Sequence, residues 1–350
     1  MQSGARLRQQ LGATTGRTVD KKLFGRIWPN GNFSLGSGPV GCSALENDGA
    51  DEIGVARFGD SGDIQAAVAA LSSSNALNSH KPISPTSERG LKGITGFGQQ
   101  MLRSACFLME RDYGKSDLTF ATLTVPTMPK GARWLLARNW SELVRQLLQW
   151  VSRRLMQSGR PTKVVGCTEV QSRRLESSGE AYLHLHLVWP AHSNCGGRRW
   201  SVDWEDLRDW WKKALIRFSC YVSQHNPRVE TCIVRKSAER YMGKYLSKGN
   251  GECLEQFIED LGEESVPPTW WFMTADVRHQ VKAETAHGPN TGTILDAVIQ
   301  NALGDGDLSM FEWIQPVMIV FTDRPVHIGW CGRLRADTRD DLLTLLSPLL

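Results

Sequence analysis

The eight cysteines of this 350-residue chain include no CxxC pair, and no run of about 18 apolar residues interrupts it. The first absence argues against a zinc ribbon or a thioredoxin-like redox motif. The second leaves nothing to span a bilayer, so no membrane partner is expected. No secretory signal opens the chain, and a reducing cytoplasm with free thiols is the expected setting. Nothing resembles GxxxxGK[ST], which excludes a P-loop nucleotide site. Excess charge of either sign is also missing: 41 Lys plus Arg stand against 37 Asp plus Glu, a net +4. That balance permits nucleic-acid binding without requiring it. Hydrophobic residues at 41% describe a globular chain, long enough for one large domain or two ordinary ones. The thirteen tryptophans are expected mainly to fill cores, with base stacking as their other use.

Residues 1–95 are rich in Gly, Ser, Asn and Asp and read as an N-terminal extension, weakly ordered or draped over the main domain. Within it, Trp28–Phe33 suggests a hairpin around Asn30-Gly31, Asp63–Leu71 a short helix, and Ser72–Gly90 a linker. Residues 96–251 form the main domain. Gln99–Asp112 is predicted helical, Leu118–Val125 a strand stopped by prolines, and Trp134–Met156 one long helix ended by Gly159-Arg160-Pro161. Lys163–Val170 and Ala181–Trp189 are predicted strands joined by a polar turn at Arg173–Glu180. A helix at Ser201–Tyr221, capped by Ser201 or Asp203, a strand at Val229–Val234 and a helix at Ser237–Ser247 follow. The order from Leu118 predicts an α+β fold, a ferredoxin-like or RRM-like βαββαβ antiparallel sheet backed by helices. Residues 252–350 read as a C-terminal extension or small subdomain. In it Trp270–Ala283 is predicted helical, and two strands flank Thr322–Pro325 as a hairpin.

The stretch Leu183–Trp189 alternates apolar and polar residues. Successive strand side chains point to opposite faces, so Leu183, Leu185 and Leu187 face a core while His184 and His186 project together from the other side. Two imidazoles held side by side make half of a divalent-metal site. Glu169, on the preceding strand, is the candidate oxygen ligand; whether it meets His184 depends on a register that sequence leaves open. A His–His–carboxylate set with open positions suits Mg²⁺ or Mn²⁺ working on a phosphate. A second group lies at Arg240–Lys248. Helical spacing places Tyr241, Tyr245 and Lys248 in one row with Lys244 beside them. Tyrosine beside ammonium groups is what phosphotyrosyl transfer needs; an amphipathic helix with a basic edge is the plainer account.

Phe120-Ala121-Thr122-Leu123-Thr124, then His184-Leu185-His186, then Tyr241-Met242-Gly243-Lys244-Tyr245 occur in a fixed order. Together, over residues 95–250, they resemble the HUH endonuclease superfamily, specifically replication-initiator (Rep) proteins of rolling-circle plasmids and phages. The resemblance implies metal-dependent nicking and rejoining of single-stranded or hairpin origin DNA through a 5′-phosphotyrosine, leaving a 3′-OH primer. It implies His184, His186 and Glu169 as ligands of Mg²⁺ or Mn²⁺, and Tyr241 as nucleophile. Tyr245 becomes a second nucleophile or a packing residue, and Lys244 and Lys248 stabilise phosphate charge. The Thr122–Thr124 motif is mainly structural. A tyrosine after the histidine pair fits Reps and HUH transposases rather than conjugative relaxases. With no helicase motif, a host helicase and polymerase are the implied partners in a prokaryotic cytoplasm. Arg153-Arg154, Arg173-Arg174 and Arg198-Arg199 are candidate DNA-backbone contacts or merely solvated faces. A transposase, a non-catalytic RRM-like binding protein and a non-nuclease zinc or copper site stay open as alternatives.

Overall fold

A computed structural model describes residues 23–37, 91, 93–190, 201–246, 252–321 and 324–346. The segments Asp63–Leu71 and Ser72–Gly90 lie outside them. In chain order, β1 (Leu23–Ile27) and β2 (Asn32–Ser37) form the expected hairpin. Gly31 takes φ +84° in its turn, a conformation glycine adopts without strain. Helix α1 (Gly96–Tyr113) starts where Thr95 caps the Gly98 N–H, and Gly114 ends it. After β3 (Leu118–Thr124) come α2 (Lys130–Arg138) and α3 (Trp140–Gln157), where one long helix was predicted. The apolar spacing runs through the break. Asn139 makes it, turning its side chain back to the Leu135 carbonyl (2.8 Å). The segment between β4 (Val165–Val170) and β5 (Leu183–Pro190) also differs from the expected turn. Ser172–Ser178 is a two-turn helix, α4, closed by Gly179 in the left-handed region. Helix α5 (Trp204–Ser219), capped by Asp203, strand β6 (Val229–Ile233) and helix α6 (Ala238–Leu246) complete the expected series.

The first sheet has the order β6-β3-β5-β4 with every neighbouring pair antiparallel, so the α+β fold and its βαββαβ sheet backed by helices stand as predicted. On one face, Trp140 of α3 donates to Thr168 (2.9 Å), Trp211 of α5 donates to the Thr124 carbonyl (3.1 Å), and the two rings meet edge to face. Leu183, Leu185 and Leu187 are buried beneath them. Each such leucine stabilises the fold by roughly 1.5–3 kcal/mol. The opposite face carries His184, His186 and Phe120 and is covered in part by α1 and α6.

Two boundaries move. Residues 252–283 belong to the first domain: α7 (Glu252–Leu261), β7 (Trp271–Met273) and α8 (Ala275–Ala283), with Trp270 just before β7, bury Leu254, Phe257, Trp270 and Val277 in the first core. Strand β7 pairs with β4 at the sheet edge, so Trp270–Ala283 is strand then helix rather than helix throughout. The N-terminal hairpin is likewise no draped extension. Together with β8 (Ala286–Gly288), β9 (Phe311–Phe321) and β10 (Arg324–Leu334), it builds a second antiparallel sheet, ordered β8-β1-β2-β10-β9. Helices α9 (Pro289–Asp305) and α10 (Ala336–Leu346) cover it over a core that includes Ile27, Phe33, Leu295, Ile299 and Leu342. Gly25 and Gly292 let α9 cross β1 backbone to backbone; a Cβ on Gly25 would lie 2.6 Å from the Gly292 nitrogen.

Candidate metal centre

The alternation along β5 sends His184 and His186 to one face, as expected. Register supplies the rest. Glu169 on β4 lies directly opposite His184, while on the other side Thr124 and Thr122 of β3 lie opposite His184 and His186. Glu169 Oε1 stands 3.4 Å from Nδ1 of His184 and 3.3 Å from Nε2 of His186. One ligand atom from each residue falls within 4.8 Å of the others, a group that could hold a metal ion. The remaining ring nitrogens are held from behind. Thr122 Oγ1 lies 3.2 Å from Nδ1 of His186, Thr124 Oγ1 lies 2.9 Å from Nε2 of His184, and Gln171 also contacts that nitrogen. Such partners fix imidazole orientation and leave the other nitrogen for a cation.

Burial pushes the Glu169 carboxyl up, but hydrogen bonds and charge from His184 and His186 outweigh it and hold its pKa at about 2. Its side chain is 6% exposed, and among the described residues Oε2 has no hydrogen-bond partner. A buried, ionised oxygen with an unused lone pair is costly unless something cationic meets it. With two imidazole nitrogens beside it, the donor set fits a divalent ion.

The triad opens onto a cleft of about 610 Å³. Arg173 and Arg174 at the start of α4 line it, as do His225, Asn226 and Arg228 from the loop before β6, and Lys244 of α6. Arg174 is seated by its bond to the Val125 carbonyl (3.0 Å) and by the Tyr182 ring beneath it (4.5 Å). Arg173 is exposed. Sequence reading missed His225, Asn226, Arg228 and Gln171. Gln171 had a signal: it follows Glu169 by two residues and so shares its face. The loop residues come to the cleft through tertiary folding and had none.

Helix α6 is anchored at its start. Ser237 Oγ caps the Arg240 N–H (3.3 Å), and the Glu110 carboxylate of α1 accepts from Ser237 Oγ (2.8 Å) and from the Glu239 N–H (3.1 Å). Tyr241 is partly buried and lies ring to ring with Phe120 (5.3 Å), which stacks in turn with His186 (5.6 Å). Lys244 lines the cleft; Tyr241 does not, and its ring packs against the first core. Lys248, Arg198, Arg199 and the side chain of Tyr245 lie outside the described residues. The Arg153-Arg154 pair is away from the cleft; Arg154 pairs with Asp206 (3.2 Å) and covers the Trp150 ring. Among the described residues no helix is long and apolar enough to cross a membrane. Comparison of the chain with family models, with curated proteins and with solved structures finds no match in any of the three.

Proposed function

We propose that this protein is an HUH-type DNA nickase and rejoining enzyme that initiates rolling-circle replication. One observation carries the reading: Glu169, His184 and His186 open onto the same cleft as Arg173, Arg174, Arg228 and Lys244. A metal-ligand set flanked by these cations, of which Arg228 is paired with Glu230 in the same lining, is suited to a phosphodiester, whose charge must be met at the backbone and at the reacting phosphate. A divalent ion on the three ligands, Mg²⁺ or Mn²⁺, supplies Lewis-acid polarisation of a phosphate oxygen. The arginines bind the backbone phosphates of a single strand. Lys244, one helical turn beyond Tyr241, neutralises charge at the scissile phosphate.

Tyr241 Oη attacks phosphorus. The new O–P bond forms as the P–O3′ bond breaks; the phenol gives up its proton and the 3′ oxygen gains one. The products are a 5′-phosphotyrosine and a free 3′-OH that primes synthesis. The reverse reaction rejoins the strand without ATP, because the phosphodiester energy is kept. Tyr245 is the candidate second acceptor at circle closure, with unwinding and synthesis left to a host helicase and polymerase.

The test is a denaturing gel. Wild-type protein with Mn²⁺ and a single-stranded oligonucleotide labelled 3′ of the nick is expected to give a covalent band that EDTA prevents. His184→Ala and Tyr241→Phe each lower it about a hundredfold or more. A Tyr241→Phe protein that labels at full yield refutes the nucleophile. DNA binding with no adduct under any divalent metal would favour a non-catalytic binding protein.

A further inference from the structure

No described residue of the second sheet lines the cleft, yet the sheet is fastened to the helix that carries Tyr241. Glu239, two residues before Tyr241, is buried. Its Oε1 accepts from Asn30 Nδ2 (3.2 Å) in the β1–β2 turn, and both its oxygens accept from Arg333 of β10 (3.1 and 3.2 Å). Asn30 is itself only 1% exposed and holds the Asn32 N–H through its own carbonyl (3.2 Å). Arg333 lies opposite Asn32 in the β2–β10 pairing. The N-terminal and C-terminal hairpins thus converge on one carboxylate of α6.

Helical residues follow one another by about 100°, so Glu239 and Tyr241 stand about 200° apart around the axis. One side of α6 is gripped by the second sheet while the other presents Tyr241 to Phe120 of the first. A two-pronged guanidinium–carboxylate pair fixes orientation as well as distance, since both prongs must align. We infer that Asn30, Glu239 and Arg333 form a positioning device: the second sheet sets the rotation of α6, and through it the place of Lys244 in the cleft and of Tyr241 against Phe120 beside it. This rests on the reading of Tyr241 as nucleophile. It gives the flanking segments a function, since an α6 released from them would carry the same residues at the wrong angle.

The experiment compares full-length wild-type, Arg333→Ala and Asn30→Ala proteins by two readouts. The first is the rate of adduct formation at saturating oligonucleotide. Arg333→Ala is expected to lower it about tenfold or more, the usual scale for losing charge-assisted bonds, and Asn30→Ala a few-fold. The oligonucleotide concentration for half-saturation and the Mn²⁺ affinity are expected to stay within about twofold. The second readout, amide hydrogen exchange, needs no activity. Exchange is expected to quicken about tenfold in Ala238–Leu246 of the Arg333→Ala protein and to hold steady in Leu183–Pro190. If Arg333→Ala does not fold, Asn30→Ala provides the same comparison with smaller shifts. Unchanged exchange in α6, or exchange that quickens equally in α6 and β5, overturns the inference. If wild-type protein forms no adduct, the nickase reading fails, and exchange alone decides whether the second sheet holds α6.

Discussion

Replacing Glu169 by glutamine removes one ionisation and almost no volume, which isolates the charge of this carboxylate. In the folded protein its pKa is about 2, against an ordinary value of 4.5. The folded state therefore favours the ionised form by about 3 kcal/mol. With the folded value depressed, this stability is fully present above pH 4.5 and disappears as pH falls towards 2. Between pH 6 and pH 3 the loss amounts to about 2 kcal/mol, with the remainder below pH 3. The side chain is 6% exposed, so solvent screening takes little away. Urea unfolding in EDTA, repeated at pH steps from 6 to 3, is the assay. Wild-type protein is expected to lose about 2 kcal/mol more than Glu169→Gln over that range. Adding Mn²⁺ at pH 7 is expected to raise the wild-type midpoint and leave the variant's in place. Parallel acid profiles would refute the claim that the two histidines hold this carboxylate ionised.

Two further outcomes follow from packing. Among the described residues, a methyl group on Gly243 meets nothing closer than the Arg103 guanidinium at 3.5 Å, an ordinary contact. Gly243→Ala is therefore expected to raise stability by about 0.5–1 kcal/mol through helix propensity, read by urea unfolding. Asp260 accepts from Arg133, which is 5% exposed, and from the Ala181 N–H (2.8 Å) just ahead of the histidine strand. Asp260→Ala is expected to cost about 3 kcal/mol, because it leaves a buried guanidinium with the Ala181 carbonyl (3.1 Å) and, of its carboxylates, the more distant Glu180 (3.4 Å), and the same unfolding assay measures the loss.

What the amino-acid sequence disclosed follows the reach of its signals. The alternation Leu183–Leu187 is local, and it placed both histidines on one face. Whether Glu169 met them depended on pairing between β4 and β5, a non-local fact that no local pattern encodes. Trp134–Met156 read as one helix because its apolar spacing continues unbroken; the interruption comes from one amide of Asn139 bonding locally. Strand β7 has three residues, too few for alternation to register, so the helical pattern of α8 absorbed it. The pairing of β2 with β10 had no signature at all. Each hairpin is legible alone, but nothing in either announces the other.

That pairing also has a bearing on how the chain folds. Gly36 and Gly329 are neighbours across strands although roughly 290 residues separate them. During synthesis the first hairpin must wait for roughly 290 further residues before β10 exists. Closing so long a loop is slow relative to forming the hairpins, and meanwhile β2 exposes an unpaired edge. The first sheet, whose strands lie within residues 118–273, can assemble in that interval. The seam between the two hairpins is thus the last to close, and a ribosome-bound chain lacking β10 would hold a nearly finished first sheet beside an unfinished second one.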